Sequence, residues 1–257
     1  KNQIAYVTLN RPDKLNALDM PMFDAINKMA RSLKKNKDIR AVILQGSGKA
    51  FCSGLDVKSV MKNPLSAARL LIKPGRKISN LAQDVAYQWR QLPVPVIAVT
   101  HGKCWGGGFQ IALGADFRYT TADCEFSIME MKWGLIPDMS GSVTLRELIS
   151  IDLAKELTMT ARVFSGDEAK AMGLVSHVCE DPLAEASAFA ESLLSRSPDA
   201  IGNAKKLFNN TWTSDEKTAL RWETRLQRQI IGRFNQRAAI SQNSDKGATP
   251  YQPRNVS

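Results

Sequence analysis

Short apolar runs of strand length alternate with helical patterns through the front half of this 257-residue chain, and that alternation commits it to α/β units rather than to a helix bundle. Ile4 to Leu9 reads as a strand that stops at Asn10-Arg11-Pro12. A helix follows, capped by Asp19, with Pro21 in its first turn and Met22, Ile26, Met29 and Leu33 on one face. Ile39 to Leu44 is a second strand, stopped by Gly46-Ser47-Gly48, and Val94 to Val99 is a third. The intervening stretch, Lys58 to Asn80, carries Pro64, Pro74-Gly75 and several basic residues, so it reads as an excursion with some helix that borders a site.

Beyond residue 140 the signals turn helical. Ser165-Gly166-Asp167-Glu168 matches a capping box with Gly173 as its stop, and Ser197-Pro198 opens another helix by placing Pro at the first helical position. A long amphipathic helix is expected after Ser214, with Leu220, Trp222, Leu226, Ile230 and Phe234 as its apolar positions, and Ser241 to Ser257 reads as a linker-like tail. The expected division is an α/β core over residues 1–195 and a helical C-terminal region with its tail over 196–257.

Composition supports a folded chain, since 44% hydrophobic and 23% charged residues suit a large core. No stretch approaches the roughly 18 uninterrupted apolar residues of a membrane helix, and Lys1-Asn2-Gln3-Ile4 offers no apolar secretion core, so a soluble protein with no membrane partner is expected. The cytoplasm is the expected compartment for a bacterial protein; removal of a leader would fit the mitochondrion or peroxisome instead. Cys52, Cys104, Cys124 and Cys179 show no metal-ligand spacing and read as reduced thiols, with no metal site expected. With only His101 and His177 available, acid–base chemistry is expected from carboxylates. The formal charge of +10 suits anionic ligands without naming one.

Two stretches can carry chemistry: Phe51-Cys52-Ser53-Gly54-Leu55-Asp56-Val57, and Trp105-Gly106-Gly107-Gly108-Phe109-Gln110-Ile111-Ala112-Leu113. In each, small residues follow an apolar strand and precede a helix. Backbone N–H groups at such a turn can face a ligand with no side chain in the way, and a pair of them can form an oxyanion hole.

Together with Asn10-Arg11-Pro12-Asp13-Lys14-Leu15-Asn16-Ala17-Leu18, Ala115-Asp116-Phe117-Arg118-Tyr119 and Phe126 to Pro137, these stretches stand in the order and approximate spacing of the crotonase (enoyl-CoA hydratase/isomerase) superfamily, which the chain resembles over nearly its whole length. The resemblance implies a crotonase-like spiral of ββα units, a C-terminal helical region that trimerises into a homotrimer or hexamer, and an acyl-CoA thioester substrate, with coenzyme A part of that substrate and no separate cofactor. It also implies that the N–H groups of Leu55 and Gly107 receive the thioester oxygen, and that Lys14, Ala17 and Asp56 border the coenzyme A, with the charge of Lys14 suited to a phosphate.

Departures from the hydratase pattern decide the remaining assignment. Hydratases resemble this sequence with Glu where Gln110 stands and a second Glu where Glu130 stands; Gln110 cannot take a proton at neutral pH. Asp138 stands where hydratases usually have Gly but where Δ3,5-Δ2,4-dienoyl-CoA isomerases carry Asp, whereas those isomerases have Asp at the Gln110 position. The expectation is a dienoyl-CoA isomerase, with Glu130 as base, Asp138 as acid and Gln110 hydrogen-bonding the substrate. A Δ3-Δ2-enoyl-CoA isomerase using Glu130 alone and an enoyl-CoA hydratase are the alternatives. From another class, an RNA-binding crotonase relative would use Lys28, Arg31, Lys34, Lys35 and Lys37, but a solvated basic helix face accounts for that cluster more simply and no base-stacking motif accompanies it.

Overall fold

The structure is a computed structural model that describes residues 2–62, 64–73, 75, 77–244 and 249–256. Strands β1 (Ile4–Leu9), β2 (Ala41–Gly46), β3 (Val96–Thr100), β5 (Phe117–Thr120) and β7 (His177–Val178) form a parallel sheet in the order β1-β2-β3-β5-β7. A second parallel pair joins β4 (Lys103–Trp105) to β6 (Glu125–Ser127). Parallel pairing requires crossovers, and the helices α1 (Met20–Lys35), α2 (Val57–Met61), α3 (Pro64–Leu71), α4 (Leu81–Arg90), α5 (Gly107–Leu113), α6 (Gly141–Leu145), α7 (Ile151–Thr160), α8 (Gly166–Ala171) and α9 (Pro182–Leu193) follow one another through the core. The chain closes with α10 (Pro198–Thr211), α11 (Glu216–Ile230) and α12 (Phe234–Gln242).

The central strands β2 and β3 are buried on both faces, which is why they read as continuous apolar runs. Val42 and Leu44 of β2 and Val96 and Ala98 of β3 face the larger core with Phe23, Ile26 and Leu33 of α1, Trp89 of α4 and Phe109 of α5. Ile43, Ile97 and Val99 point the other way, onto Ala186 and Ala190 of α9. Each such large apolar side chain withdrawn from water contributes about 1.5–3 kcal/mol before chain entropy is set against it.

The second and third strands begin two residues later than their apolar runs do. On α1 the Asp19 cap is present, its carboxylate accepting from Met22 N–H at 3.0 Å. The buried arc is rotated from the expected one: Phe23, Ile26, Asn27, Ala30 and Leu33 face inward, while Met29 is 44% exposed. The capping box at Ser165 and Glu168 forms as read. The expected long helix after Ser214 is instead two, because Gly232 adopts a left-handed φ of 73° between α11 and α12. The excursion after Lys58 folds as α2 and α3, and Arg69 of α3 pairs with Asp24 of α1 at 2.7 Å; Pro74 lies outside the described residues.

The tail is not a loose linker where it is described. Arg254 is 2% exposed and donates through Nη2 to the carbonyls of Lys34 at 2.9 Å and Asn36 at 2.8 Å, at the end of α1. Asp199 of α10 accepts from Asn255 N–H at 2.6 Å and from the Asn235 amide at 2.8 Å, so the tail, α10 and α12 share one buried carboxylate. Lys205 of α10 ties the same helix to the core, reaching Asp116 at 2.7 Å and the carbonyls of Trp89 and Val94.

Candidate active site

The site is built on the Asn10 to Leu18 turn. Leu15 and Asn16 both adopt left-handed backbone, with φ of 48° and 56°. That strain is held by the buried Asn16 amide, which donates to the carbonyls of Ser47, Ala50 and Phe51 and accepts from Arg11 N–H. Arg11 then clamps the next loop: its Nη1 donates to Asp56 Oδ2 at 2.8 Å and to Ala17 O at 3.1 Å, and its Nε lies 3.3 Å from Asp19. Sequence reading passed over Arg11 and Asn16 as organisers. The signal was their place in a turn between a strand and a capped helix, but their partners lie some 30 to 45 residues away.

A parallel bridge between Leu18 and Leu55 seats the Phe51 to Val57 loop against this turn. Gly54, at φ 93°, approaches the start of α5 so closely that a Cβ there would lie 2.9 Å from Trp105 O and 3.5 Å from Gly107 N. The two glycine-bearing turns, some fifty residues apart in sequence, are therefore in contact. Neither the Leu55 nor the Gly107 N–H has an acceptor among the described residues, as expected for a loop amide and for the first turn of a helix. Leu55 also lines a cleft of about 440 Å³ together with Lys14, Ala17 and Asp56, so four of the sequence-derived candidates meet in one cavity. Lys58, Ser59 and Lys62, at the start of the excursion, complete its basic wall. The Asp56 carboxylate is held below its usual range chiefly by its hydrogen bond from Arg11, and it also caps α2 through Ser59 N–H.

Glu130 lies on a 3-10 turn over Met129–Trp133. Trp133 of the same turn lines the basic cleft, which joins the two halves of the site. Glu130 Oε1 is 3.4 Å from where a Cβ on Gly106 would sit and accepts from Gln110 Nε2 at 2.6 Å. Burial raises the Glu130 pKa, the Gln110 hydrogen bond opposes that rise, and the charge of Asp138 adds to it. The Asp138 side chain stays exposed in the isolated chain, yet the atoms crowding its carboxyl raise its pKa as well. Between these two residues in sequence, Trp133, Leu135 and Ile136 present apolar surface to solvent.

The other ionisable candidates are engaged elsewhere. His101 Nε2 lies 2.9 Å from Gly48 O, and His177 stacks on Tyr119. Cys52, Cys104 and Cys124 are buried free thiols, and burial pushes Cys52 and Cys124 up to about 12. Among the described residues no cluster of His, Cys, Asp and Glu could hold a metal ion, and no helix is long and apolar enough to cross a membrane.

A parallel sheet wound with helices, two touching glycine turns with free N–H groups and a half-buried carboxylate beside them define a protein of the crotonase fold. The sequence model of the enoyl-CoA hydratase/isomerase family matches residues 1–253, and the chain belongs to that family. It is 33% identical over 257 residues to the putative enoyl-CoA hydratase/isomerase YngF of Bacillus subtilis, covering 98% of this chain and 95% of that protein. It is 37% identical over 183 residues to the peroxisomal Δ(3,5)-Δ(2,4)-dienoyl-CoA isomerase of Arabidopsis thaliana, covering 69% of this chain and 66% of that protein. Against the short-chain-enoyl-CoA hydratase of Clostridium acetobutylicum it is 31% identical over 244 residues, covering 94% and 91%. The crystal structure of an enoyl-CoA hydratase from Bacillus anthracis superposes with a TM-score of 0.88 at 29% identity, covering 98% of this chain and 96% of that one.

Proposed function

We propose that the chain is an acyl-CoA double-bond isomerase that converts 3,5-dienoyl-CoA to 2,4-dienoyl-CoA. The observation that carries this reading is the pair of carboxyls, Glu130 and Asp138, both raised in pKa and flanking one apolar turn, with a neutral amide at position 110. In this reaction ionised Glu130 takes a proton from C2. The electron pair delocalises onto the thioester oxygen, which the N–H groups of Leu55 and Gly107 receive, and through the diene to C6. Protonated Asp138 then gives its proton to C6, and the double bonds come to rest at C2 and C4. Two neighbouring carboxyls with raised pKa values favour the required state of one protonated and one ionised group. Each backbone donor in such a hole is worth about 2.7–4 kcal/mol of transition-state stabilisation.

The basic cleft would take the coenzyme A, with Lys14, Lys58 and Lys62 near its phosphates and Ala17 and Asp56 along its length. The chemistry asks for no metal or redox group. Exposed Phe208 of α10, Trp212 just beyond its end and Leu220 of α11 supply an apolar surface for a homotrimer or hexamer, while acyl-CoA thioesters rather than nucleic acid are the ligands of the basic surface. The compartment would be the cytoplasm of a bacterium, or a mitochondrion or peroxisome.

A second reading, Δ3-Δ2-enoyl-CoA isomerisation by Glu130 alone, is favoured by the exposure of Asp138 in the isolated chain. Hydration has less support, since Gln110 cannot share the work of activating water. Mixing the protein with a 3,5-dienoyl-CoA, with a 2-enoyl-CoA hydration assay alongside, separates these. Rapid growth of the conjugated 2,4-dienoyl chromophore with little hydration is the expected result. Hydration without dienoyl isomerisation would sink the proposal.

A further inference from the structure

Gln110 is 2% exposed and makes three hydrogen bonds that the chemistry above does not use. Its Oε1 accepts from Met139 N–H at 2.8 Å and from Gly141 N–H at 3.0 Å. Its Nε2 donates to Glu130 Oε1 at 2.6 Å. Backbone N–H groups only donate, so the amide oxygen has to face the turn after Asp138 and the –NH2 has to face the carboxylate. The fit is close: a Cβ on Gly141 would lie 2.8 Å from that amide oxygen. The other oxygen of Glu130, Oε2, is buried and has no hydrogen-bond partner among the described residues, an arrangement that costs stability in the resting protein and leaves the atom open to something that binds.

We propose that Gln110 is a positioning residue: its –NH2 occupies Glu130 Oε1 and leaves Oε2 to take the substrate proton, while its carbonyl holds the Met139 to Gly141 turn that carries Asp138. One neutral amide thus sets the two carboxyls relative to each other without touching the substrate. This rests on the reading of Glu130 as the base. A carboxylate at 110 could accept from the same two N–H groups, but its second oxygen would face Glu130 Oε1 and the two would have to share a proton. The amide removes that proton, so Glu130 titrates against Asp138. Among the described residues Asp138 is the charged group whose field raises Glu130; α5 carries no titratable side chain, and Lys132 on the Glu130 turn and Asp152, Lys155 and Glu156 on α7 are exposed.

Gln110→Met removes all three bonds at nearly constant volume, and Gln110→Glu keeps the two acceptor bonds that hold the turn. In Gln110→Met, kcat on a 3,5-dienoyl-CoA is expected to fall about tenfold or more while KM stays within about twofold. Its acid limb of kcat/KM should move to higher pH, because the bond that favours ionised Glu130 is lost. In Gln110→Glu the limb should move further in the same direction, and the retained turn makes this variant decisive if Gln110→Met does not fold. A raised KM with unchanged kcat would overturn the proposal, showing that Gln110 binds substrate directly; so would an acid limb unmoved in both variants. Glu130→Gln is assayed in parallel: full activity there would overturn the base reading and this inference together. An inactive Glu130→Gln beside unaltered Gln110 variants would overturn this inference alone.

Discussion

At the scale of single residues, the site places a carboxylate where the fold alone would not. Burial raises the Glu130 pKa, so this group contributes stability when protonated and loses that contribution as pH rises through its folded pKa. Glu130→Gln should therefore melt no lower than the parent at neutral pH, while kcat falls by about 10²–10⁴-fold and affinity for coenzyme A holds. Thermal melting, turnover and calorimetric titration check the three parts. In the parent, kcat/KM should fall on the acid side at a pH above the usual carboxylate range, since ionised Glu130 is the active form. Asp138→Asn should lose activity on dienoyl substrates and keep it on a 3-enoyl-CoA; equal loss on both would make Asp138 structural. The candidates were narrowed in the sequence because residue type limits chemistry: with two histidines, both otherwise engaged, carboxyls remain. The partners of Gln110 were not legible, because Glu130, Met139 and Gly141 reach it from 20 to 31 residues away.

At the scale of elements, the two glycine turns matter through their contact. A side chain at Gly54 would meet both a left-handed φ and the Trp105 carbonyl at 2.9 Å, which cannot give way as a flexible side chain can. Gly54→Ala should cost about 1–3 kcal/mol in folding stability and lower kcat more than it raises KM, by displacing Leu55 N–H relative to Gly107 N–H, the pair proposed to receive the thioester oxygen. Chemical denaturation and steady-state kinetics on one preparation test this. Strand existence was readable from the apolar runs and the Asp19, Ser165 and Ser197 caps from their side chains, because those signals are local. The face of α1 was misjudged through Met29, since a helix buries the arc its neighbours cover and not merely its most apolar stripe.

At the scale of the whole molecule, the C-terminal segment folds back onto the start of the chain. Arg254, more than two hundred residues from Lys34 and Asn36, satisfies carbonyls that the end of α1 leaves unpaired. Arg254→Ala should destabilise the fold by about 2 kcal/mol with little effect on kcat, read as a lower denaturation midpoint at unchanged turnover per folded molecule. An unchanged midpoint would mean that the docked tail adds nothing to stability. A polar, proline-containing stretch reads as a linker because the partner that orders it is invisible locally.

The sequence by itself determined the α/β class, the family, the two glycine turns and the residue types available for proton transfer, because each depends on local pattern or on side-chain identity. Only the tertiary structure decided that the Gly54 loop packs against the turn before Gly107, that Arg11 and Asn16 brace that loop, that Gln110 spends its amide on Glu130 and the Asp138 turn, and that the tail is docked. Those outcomes depend on which distant backbone groups remain unpaired once the sheet has formed, and the folded chain satisfies them with whatever polar side chain the topology brings within about 3 Å.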